Sequence, residues 1–457
     1  MNTTVPSDQN KRAARRRLSR FLIDYGMLAV LTVLCLTFSV LTVRDQFPVG
    51  ADAARSVADS IRKHKQLPTE VIVIAQTGEE DRNFAAALQT DLKDLGISLI
   101  HIVTGDPSQV RSQLTALVDS LSPGTIIATT RGYSPVVRSI VSQLPALEAT
   151  DIASPKSYRW PTFLLPDNIR NVANQITVIA IIAIGMTMVI ITAGIDLSVG
   201  SLIALSAVVT AWLIEHAGGE GASAWVMLVA ALGGIAVCGA TGAFSGFTIT
   251  RFRIPPFIAT LAMMQVAAGL AYIISRGKPI YRMPESFIWL GRGVEPLLKI
   301  PIAVILMVVL YIIAHIIMTR TTMGRYIYAV GGNMEAARLS GIRVRLVLFL
   351  VYTVSGTLAG LGGIIMASQL KSGAPTYGLT YELYVIAAVV VGGTSLSGGQ
   401  GNMFGTLIGA FLIGVIQNGM NLTNVESYTQ KVVLGLVILG AVLLDGLKHR
   451  GFRLKGT

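Results

Sequence analysis

Ten apolar windows dominate this chain of 457 residues, near 21–43, 172–193, 198–214, 225–248, 257–275, 301–318, 346–367, 382–393, 403–419 and 431–444. A bilayer core of about 30 Å takes roughly 20 apolar residues per helix, and most of these windows reach that length or approach it. The eighth, 382–393, is short. Only 14% of the residues are charged, where a soluble domain carries roughly 25%. The chain therefore reads as an α-helical polytopic membrane protein of about ten transmembrane helices.

The charge pattern gives an orientation. Lys and Arg outnumber Asp and Glu by 37 to 25, a formal net charge of +12. In a soluble chain this excess would suggest nucleic acid; here the basic residues flank apolar runs, so topology accounts for them and no nucleic-acid partner is expected. Residues 1–20 form a basic segment with six Lys or Arg between Lys11 and Arg20. Ahead of the long window 21–43 it reads as the cytoplasmic end of a retained anchor rather than a cleaved signal. Arg251, Arg253, Arg320, Arg325, Arg338, Arg343 and Arg345 then fall inside, as does the tail 447–457. Loops 215–224 and 420–430 hold no Lys or Arg and fall outside. One loop resists: 276–300 carries Arg276, Lys278, Arg282, Arg292 and Lys299 on the expected outer face. Either it docks something acidic, or the span count is off by one nearby. Cys35 and Cys238 both lie inside apolar spans, offering neither a disulfide framework nor metal-ligand spacing.

Residues 44–165 differ in kind. From Arg44 to Arg170 the chain has 13 basic and 14 acidic residues, and its apolar runs are short. VIVIAQ (71–76), ISLIHIV (97–103) and TIIATT (125–130) read as buried strands. RNFAAALQTDLKDLG and PSQVRSQLTALVDSL, with apolar residues three and four apart, read as helices, the first ending at Gly96 and the second opening at Pro107. This alternation predicts a small inserted α/β domain with a parallel sheet. With one span before it, the domain should be extracytoplasmic, leaving 166–446 as the transmembrane core. GEED (78–81) follows the first strand, where such sheets bind ligands; the plainer reading is that these acids lead a helix whose dipole favours them.

GIDLSVGS (194–201) interrupts the apolar stretch from Val172 to Ile214, and Asp196 is the single charge in it. As a turn between helices, Gly194 and Gly200 would supply loop conformations while Asp196 or Ser198 capped the next helix. As a break within a membrane helix, its freed backbone groups would have to face protein or a water-filled path, since lipid cannot satisfy them. A second interruption at Gly393, Thr394, Ser395 and Ser397 echoes it: Gly194–Gly200 and Gly393–Gly399 share the first Gly, Leu-Ser and the last Gly. Ser198, Thr394 and Ser395 could serve as transient hydrogen-bond partners along a path. Asp196 is essentially the only ionisable group within a span, so a proton-coupled carrier, which needs several, is disfavoured. In 324–342, Glu335, Ala336, Ala337 and Arg338 precede Gly341 and read as a short helix on the inner face. No P-loop occurs.

These segments together, GMTMVIITAGIDLSVGSLIAL (185–205), GRYIYAVGGNMEAARLSGI (324–342), AAVVVGGTSLSGG (387–399) and GTLIGAFLIGVIQNGMNL (405–422), closely resemble the ribose/xylose-type permeases of bacterial ATP-binding-cassette importers. The resemblance is strong over 165–446. It implies a permease homodimer in the bacterial inner membrane, a cytoplasmic ATPase that supplies ATP and Mg chemistry, and an extracytoplasmic sugar-binding protein. This chain would then hold no cofactor and would not be an enzyme. It assigns Glu335–Gly341 to ATPase coupling. It says nothing of 44–160, which replaces the family's usual short outer loop. The expected function is the membrane subunit of a pentose-type monosaccharide importer. A permease for another solute such as a nucleoside, or a membrane-anchored sensor using the inserted domain, remains the alternative.

Overall fold

A computed structural model describes residues 26–64, 67–122 and 124–453. The basic segment 1–20 and residues 454–457 of the tail lie outside the described residues. The chain divides into two compact units, one of residues 1–42 and 163–457 and the other Val43–Thr162.

Helix α1 is apolar over its described residues, Gly26–Leu41. The Val43–Thr162 unit follows. Strand β1 (Val43–Gln46) opens it, then α2 (Gly50–Arg62), β2 (Glu70–Ala75), α3 (Glu79–Asp94), β3 (Leu99–Thr104), α4 (Pro107–Leu117), β4 (Ile126–Thr129), α5 (Ser134–Val141), β5 (Asp151–Ala153) and β6 (Tyr158–Pro161). Strands β2 to β5 form one parallel sheet in the order β3-β2-β4-β5. All six residues of β2 are buried, as a central strand covered on both faces requires. Val71, Val73 and Ala75 pack toward α2 and α3. Ile72 and Ile74 face Val110 of α4 and Val137 of α5, the period-2 alternation of a strand.

Sequence spacing predicts three strands, and the sheet has four. Strand β5 has only three residues, too few to show an apolar run. β1 and β6 pair with each other, antiparallel, from Val43↔Pro161 to Gln46↔Tyr158, and join two segments with no local signal in common. Helix α4 has Pro107 at its first position and a capping box from Asp106 and Gln109. Helix α3 starts at Glu79 with Glu79, Glu80 and Asp81 in its first turn, where the dipole favours them. At the start of β2, the Glu70 carboxylate accepts from Ser122 N (2.7 Å), Thr125 Oγ1 (3.0 Å) and His101 Nε2 (2.8 Å).

The other unit continues after β6. Phe163 N donates to Thr42 Oγ1 at 3.1 Å. Then come α6 (Pro166–Ile191), α7 (Val199–His216), α8 (Ala224–Phe252), α9 (Pro256–Ser275), the single turn α10 (Trp289–Arg292), α11 (Ile302–Arg320), α12 (Thr322–Gly332), α13 (Met334–Leu339), α14 (Val344–Leu370), α15 (Tyr381–Val391), α16 (Met403–Leu422) and α17 (Ser427–Arg453). Among the described residues seven helices, α6, α7, α8, α9, α11, α14 and α16, are long and apolar enough to cross a membrane; α15 and Ser427–Gly440 of α17 are shorter apolar helices, like α1. The chain is thus a multi-pass membrane protein.

Helix α6 is buried continuously from Ile176 to Ile191. A helix apolar all round is stable only when surrounded, and α11, α14, α15 and α16 surround it. Helices α8, α9 and α11 instead expose Leu228, Phe244, Phe257, Ile273 and Ile312, as lipid-facing helices do. Small residues draw the central helices together. A methyl built on Gly242 of α8 would lie 3.1 Å from Gly356 Cα, and one on Gly356 would lie 3.0 Å from Gly242 Cα.

The resistant loop 276–300 is a single connector between α9 and α11, with no further long apolar helix in it. It is tied to the far end of α14: Ile280 pairs with Gly373, Gly291 N donates to Ser368 Oγ (2.8 Å), and Lys371 pairs with Glu285.

Candidate functional site

Helix α6 ends at Ile191, and the chain reverses through Ala193 in a left-handed conformation (φ 59°) before α7 begins at Val199. Asp196 is 1% exposed. Its Oδ1 accepts from Ser198 N (3.0 Å) and Ser198 Oγ (2.6 Å), and its Oδ2 accepts from Ser355 Oγ (2.8 Å) in the interior of α14. Thr260 Oγ1 donates to Ile195 O at 3.1 Å. The carboxylate therefore ties the connector to itself and to α14. The space a side chain on Gly194 would fill is taken by the Tyr352 hydroxyl. Buried there, that hydroxyl meets no partner among the described residues. Gly200, in the first turn of α7, likewise lies under the Glu382 carboxylate and the Gly378 carbonyl.

The second glycine-rich segment joins α15 to α16. Gly393 takes φ 92°. Ser395 N donates to Gln400 O (3.1 Å), Gly398 N to Ser395 O (3.1 Å), and Ser397 N to Ser395 Oγ (3.3 Å), closing a tight turn. Thr394 and Ser395 are buried while Ser397 is exposed, and Thr394 Oγ1 meets no partner among the described residues. Gly399 N reaches across to Ile191 O at 2.8 Å. Gly331, near the end of α12, is wedged into the same junction, where an added Cβ would collide with Ile191 O and come within 2.7 Å of Gly399 N. The second interruption thus touches the end of α6, just before the first interruption begins, and the helix leading to α13 rests on both of these segments. Asp196 faces α14 and Gly200 faces α15 instead of this junction, and Ser198 bonds to Asp196.

Beyond Gly331, Asn333 Oδ1 caps α13 by accepting from Ala336 N at 2.9 Å. Glu335 and Arg338 form a two-pronged pair on its exposed side (Nε–Oε2 2.9 Å, Nη2–Oε1 2.8 Å). Hydrogen bonding from Arg338, aided by its charge and that of Arg253, holds the Glu335 carboxyl below the usual range. Ala337 is buried, whereas Met334, Glu335, Ala336, Arg338 and Leu339 are exposed, Leu339 at 79%. Gly341, at φ 83°, ends the helix and turns the chain into α14. Only Gly adopts this left-handed conformation at little cost.

Two features escape sequence reading. Asp196 is not the lone carboxylate: Glu382, the first residue of the eighth window, lies inside the first turn of α15, which begins at Tyr381. Nor does 371–380 run as an ordinary surface loop. It folds back along α7, with Gly373 against Ala207 O and Gly378 against Gly200 O. The short eighth window was the available signal: an 11-residue helix covers about half a bilayer.

A bundle of apolar helices with glycine-tightened crossings and buried interhelical breaks is the architecture of a multi-pass membrane protein with irregular backbone held inside the protein. The chain belongs to the permease family described as "Branched-chain amino acid transport system / permease component", whose model matches residues 168–442. It is similar to the ribose import permease of Escherichia coli strain K12, 45% identical over 293 residues, covering 63% of this chain and 88% of that relative. The ribose import permease of Bacillus subtilis strain 168 is 45% identical over 290 residues (63% and 87%). The D-allose transport permease of E. coli K12 is 38% identical over 285 residues (62% and 85%). No solved structure matches. The family match leaves Val43–Thr162 uncovered.

Proposed function

We propose that this chain is the membrane-spanning permease of an ATP-driven importer for a pentose-type monosaccharide, ribose being the first solute to test. The observation that carries this is the 45% identity to ribose permeases over almost their whole length. A neutral polyol needs hydroxyls and backbone groups along its path and no ion pair, in keeping with the sparse charge of the spans. On this reading the chain crosses the bacterial inner membrane ten times, the shorter apolar helices α1, α15 and α17 completing the count. It works as a homodimer with a cytoplasmic ATPase, where ATP and Mg are bound, and receives sugar from an extracytoplasmic binding protein. Glu335, Ala336, Ala337, Arg338 and Gly341 form the coupling element that enters the ATPase. The contact of Gly331 with Ile191 and Gly399 supports this, since it would pass a displacement of α13 to both interhelical breaks. The α/β unit lies outside the membrane and aids docking of the binding protein. Deleting the chain from its host should abolish high-affinity uptake of radiolabelled ribose, and restoring it should return that uptake. Unchanged ribose uptake, with loss of another solute's uptake, would move the substrate and keep the permease assignment.

A further inference from the structure

The segment between α14 and α15 has a geometry that a lipid-exposed or merely connecting stretch does not need. After Leu370 the chain turns through Lys371 in a left-handed conformation (φ 51°) and descends beside α7. Gly373 sits on Ala207 and Ala211, and Gly378 on Gly200 and Ile203. From Ala211 to Gly200, α7 rises about 16 Å, roughly half the thickness of a bilayer core. The start of α15 is therefore at mid-depth, and its 11 residues cover the remaining half.

Backbone at this depth must be satisfied by protein or by water, since lipid offers no partners. Some of it is satisfied: Tyr377 N donates to Ala374 O, Tyr381 N to Gly378 O and Leu383 N to Thr380 O. Among the described residues, the N–H groups of Thr376, Gly378, Leu379 and Thr380 meet no acceptor. Thr376, Leu379 and Thr380 are exposed, and Glu382, half-buried beside them, makes no ion pair among the described residues. An ionisable group within membrane-spanning structure marks a solute or ion path by default.

We infer that Thr376, Thr380, Glu382 and the free backbone amides between them form a mid-membrane binding station for an uncharged, hydroxyl-rich solute. The amides donate, the carboxylate accepts, and the two threonine hydroxyls do either, which matches a polyol whose hydroxyls also do both. The carboxylate repels anionic sugars. A desolvated metal cation would ask for more oxygen ligands than one carboxylate and a few carbonyls provide. The half-buried rings of Tyr377 and Tyr381 add apolar surface for the C–H face of a sugar. The inference rests on the permease reading above and adds the contact residues to it.

The test uses full-length chain with its partner ATPase and binding protein in proteoliposomes, and [14C]ribose as the probe. Glu382→Gln keeps shape and removes charge. It should cut ribose moved per ATP hydrolysed by about tenfold, the worth of one charge-assisted hydrogen bond, while stimulation of ATP hydrolysis by the binding protein persists. Independently, Leu379→Cys, with Cys35 and Cys238 changed to Ala, should react with an impermeant methanethiosulfonate, and ribose supplied with the binding protein should slow that reaction. Unaltered ribose per ATP in Glu382→Gln, or a Leu379→Cys thiol that reacts only with lipid-soluble reagents, overturns the station. Failure of the wild type to move ribose overturns the ribose assignment instead, and the labelling arm still reports whether the strip faces water.

Discussion

Replacing Asp196 tests what holds the connector between α6 and α7. Three donors converge on its carboxylate, at 2.6, 2.8 and 3.0 Å, in a site closed to water. In Asp196→Asn the remaining oxygen still accepts from Ser198 N and Oγ. Ser355 then faces an amide NH2, and its hydroxyl can turn to accept. The cost should be about 1 kcal/mol. In Asp196→Leu all three donors lose their acceptor. The two hydroxyls can re-aim, but the Ser198 N–H is fixed by the backbone. One or two buried groups then stay unpaired at about 1–3 kcal/mol each, so roughly 2–5 kcal/mol is lost. A gap of about 3 kcal/mol between the variants is more than a hundredfold in folded population. Full-length variants would be compared for monodisperse yield in detergent, thermal unfolding midpoint and ribose uptake. The expected order is wild type, then Asn close behind, then Leu far below. Leu equal to wild type would show that the carboxylate stabilises nothing. Asn as damaged as Leu would show that formal charge matters here, and the hydrogen-bond count does not.

Glu335→Lys breaks the exposed pair with Arg338 and places two cations on α13; purified protein should unfold at the wild-type temperature while uptake is lost, and full uptake by well-expressed protein would remove α13 from coupling. In the α/β unit, burial of Glu70 alone would raise its pKa, but bonds from Ser122, Thr125 and His101 outweigh burial and lower it below 4.5. A carboxylate depressed on folding gives stability that is present above the unfolded value and lost as pH falls through the folded one. Acid unfolding followed by the unit's circular dichroism should therefore be shallower in Glu70→Gln below pH 4.5, and an unchanged acid limb would contradict this. A cysteine at Ser120, exposed beside α4, should react with an impermeant thiol reagent in intact spheroplasts; reaction only after the inner face is opened would reverse the orientation and with it the inside placement of α13.

Legibility in the sequence followed the range of the interactions. The long spans, the core strands and α13 with its Gly341 stop rest on periodicity and local caps, so they could be read from neighbouring residues. β1 and β6 could not, because four residues near position 43 find their partners near 161 with no apolar run to mark either. The Tyr352–Gly194 contact and the Asp196–Ser355 bond likewise join distant segments. KSGAPTYGLT (371–380) has the Gly, Pro and Thr of an ordinary loop, and nothing local shows that it descends along α7. Its one trace was the shortness of the window after it, which also hid Glu382 at the boundary.

The bond from Phe163 N to Thr42 Oγ1 makes the inserted unit a cassette with a single neck. Its own ends are likewise adjacent, since Val43 faces Pro161 in an antiparallel pair, with strands about 5 Å apart. The helical unit therefore bears almost no entropic charge that depends on the length of the excursion, because the ends it must bring together are already clasped. Such a neck tolerates exchange. A foreign domain whose termini lie side by side could be grafted between Thr42 and Phe163 with little effect on the bundle. One with termini on opposite poles would pull the clasp open and part Thr42 from Phe163.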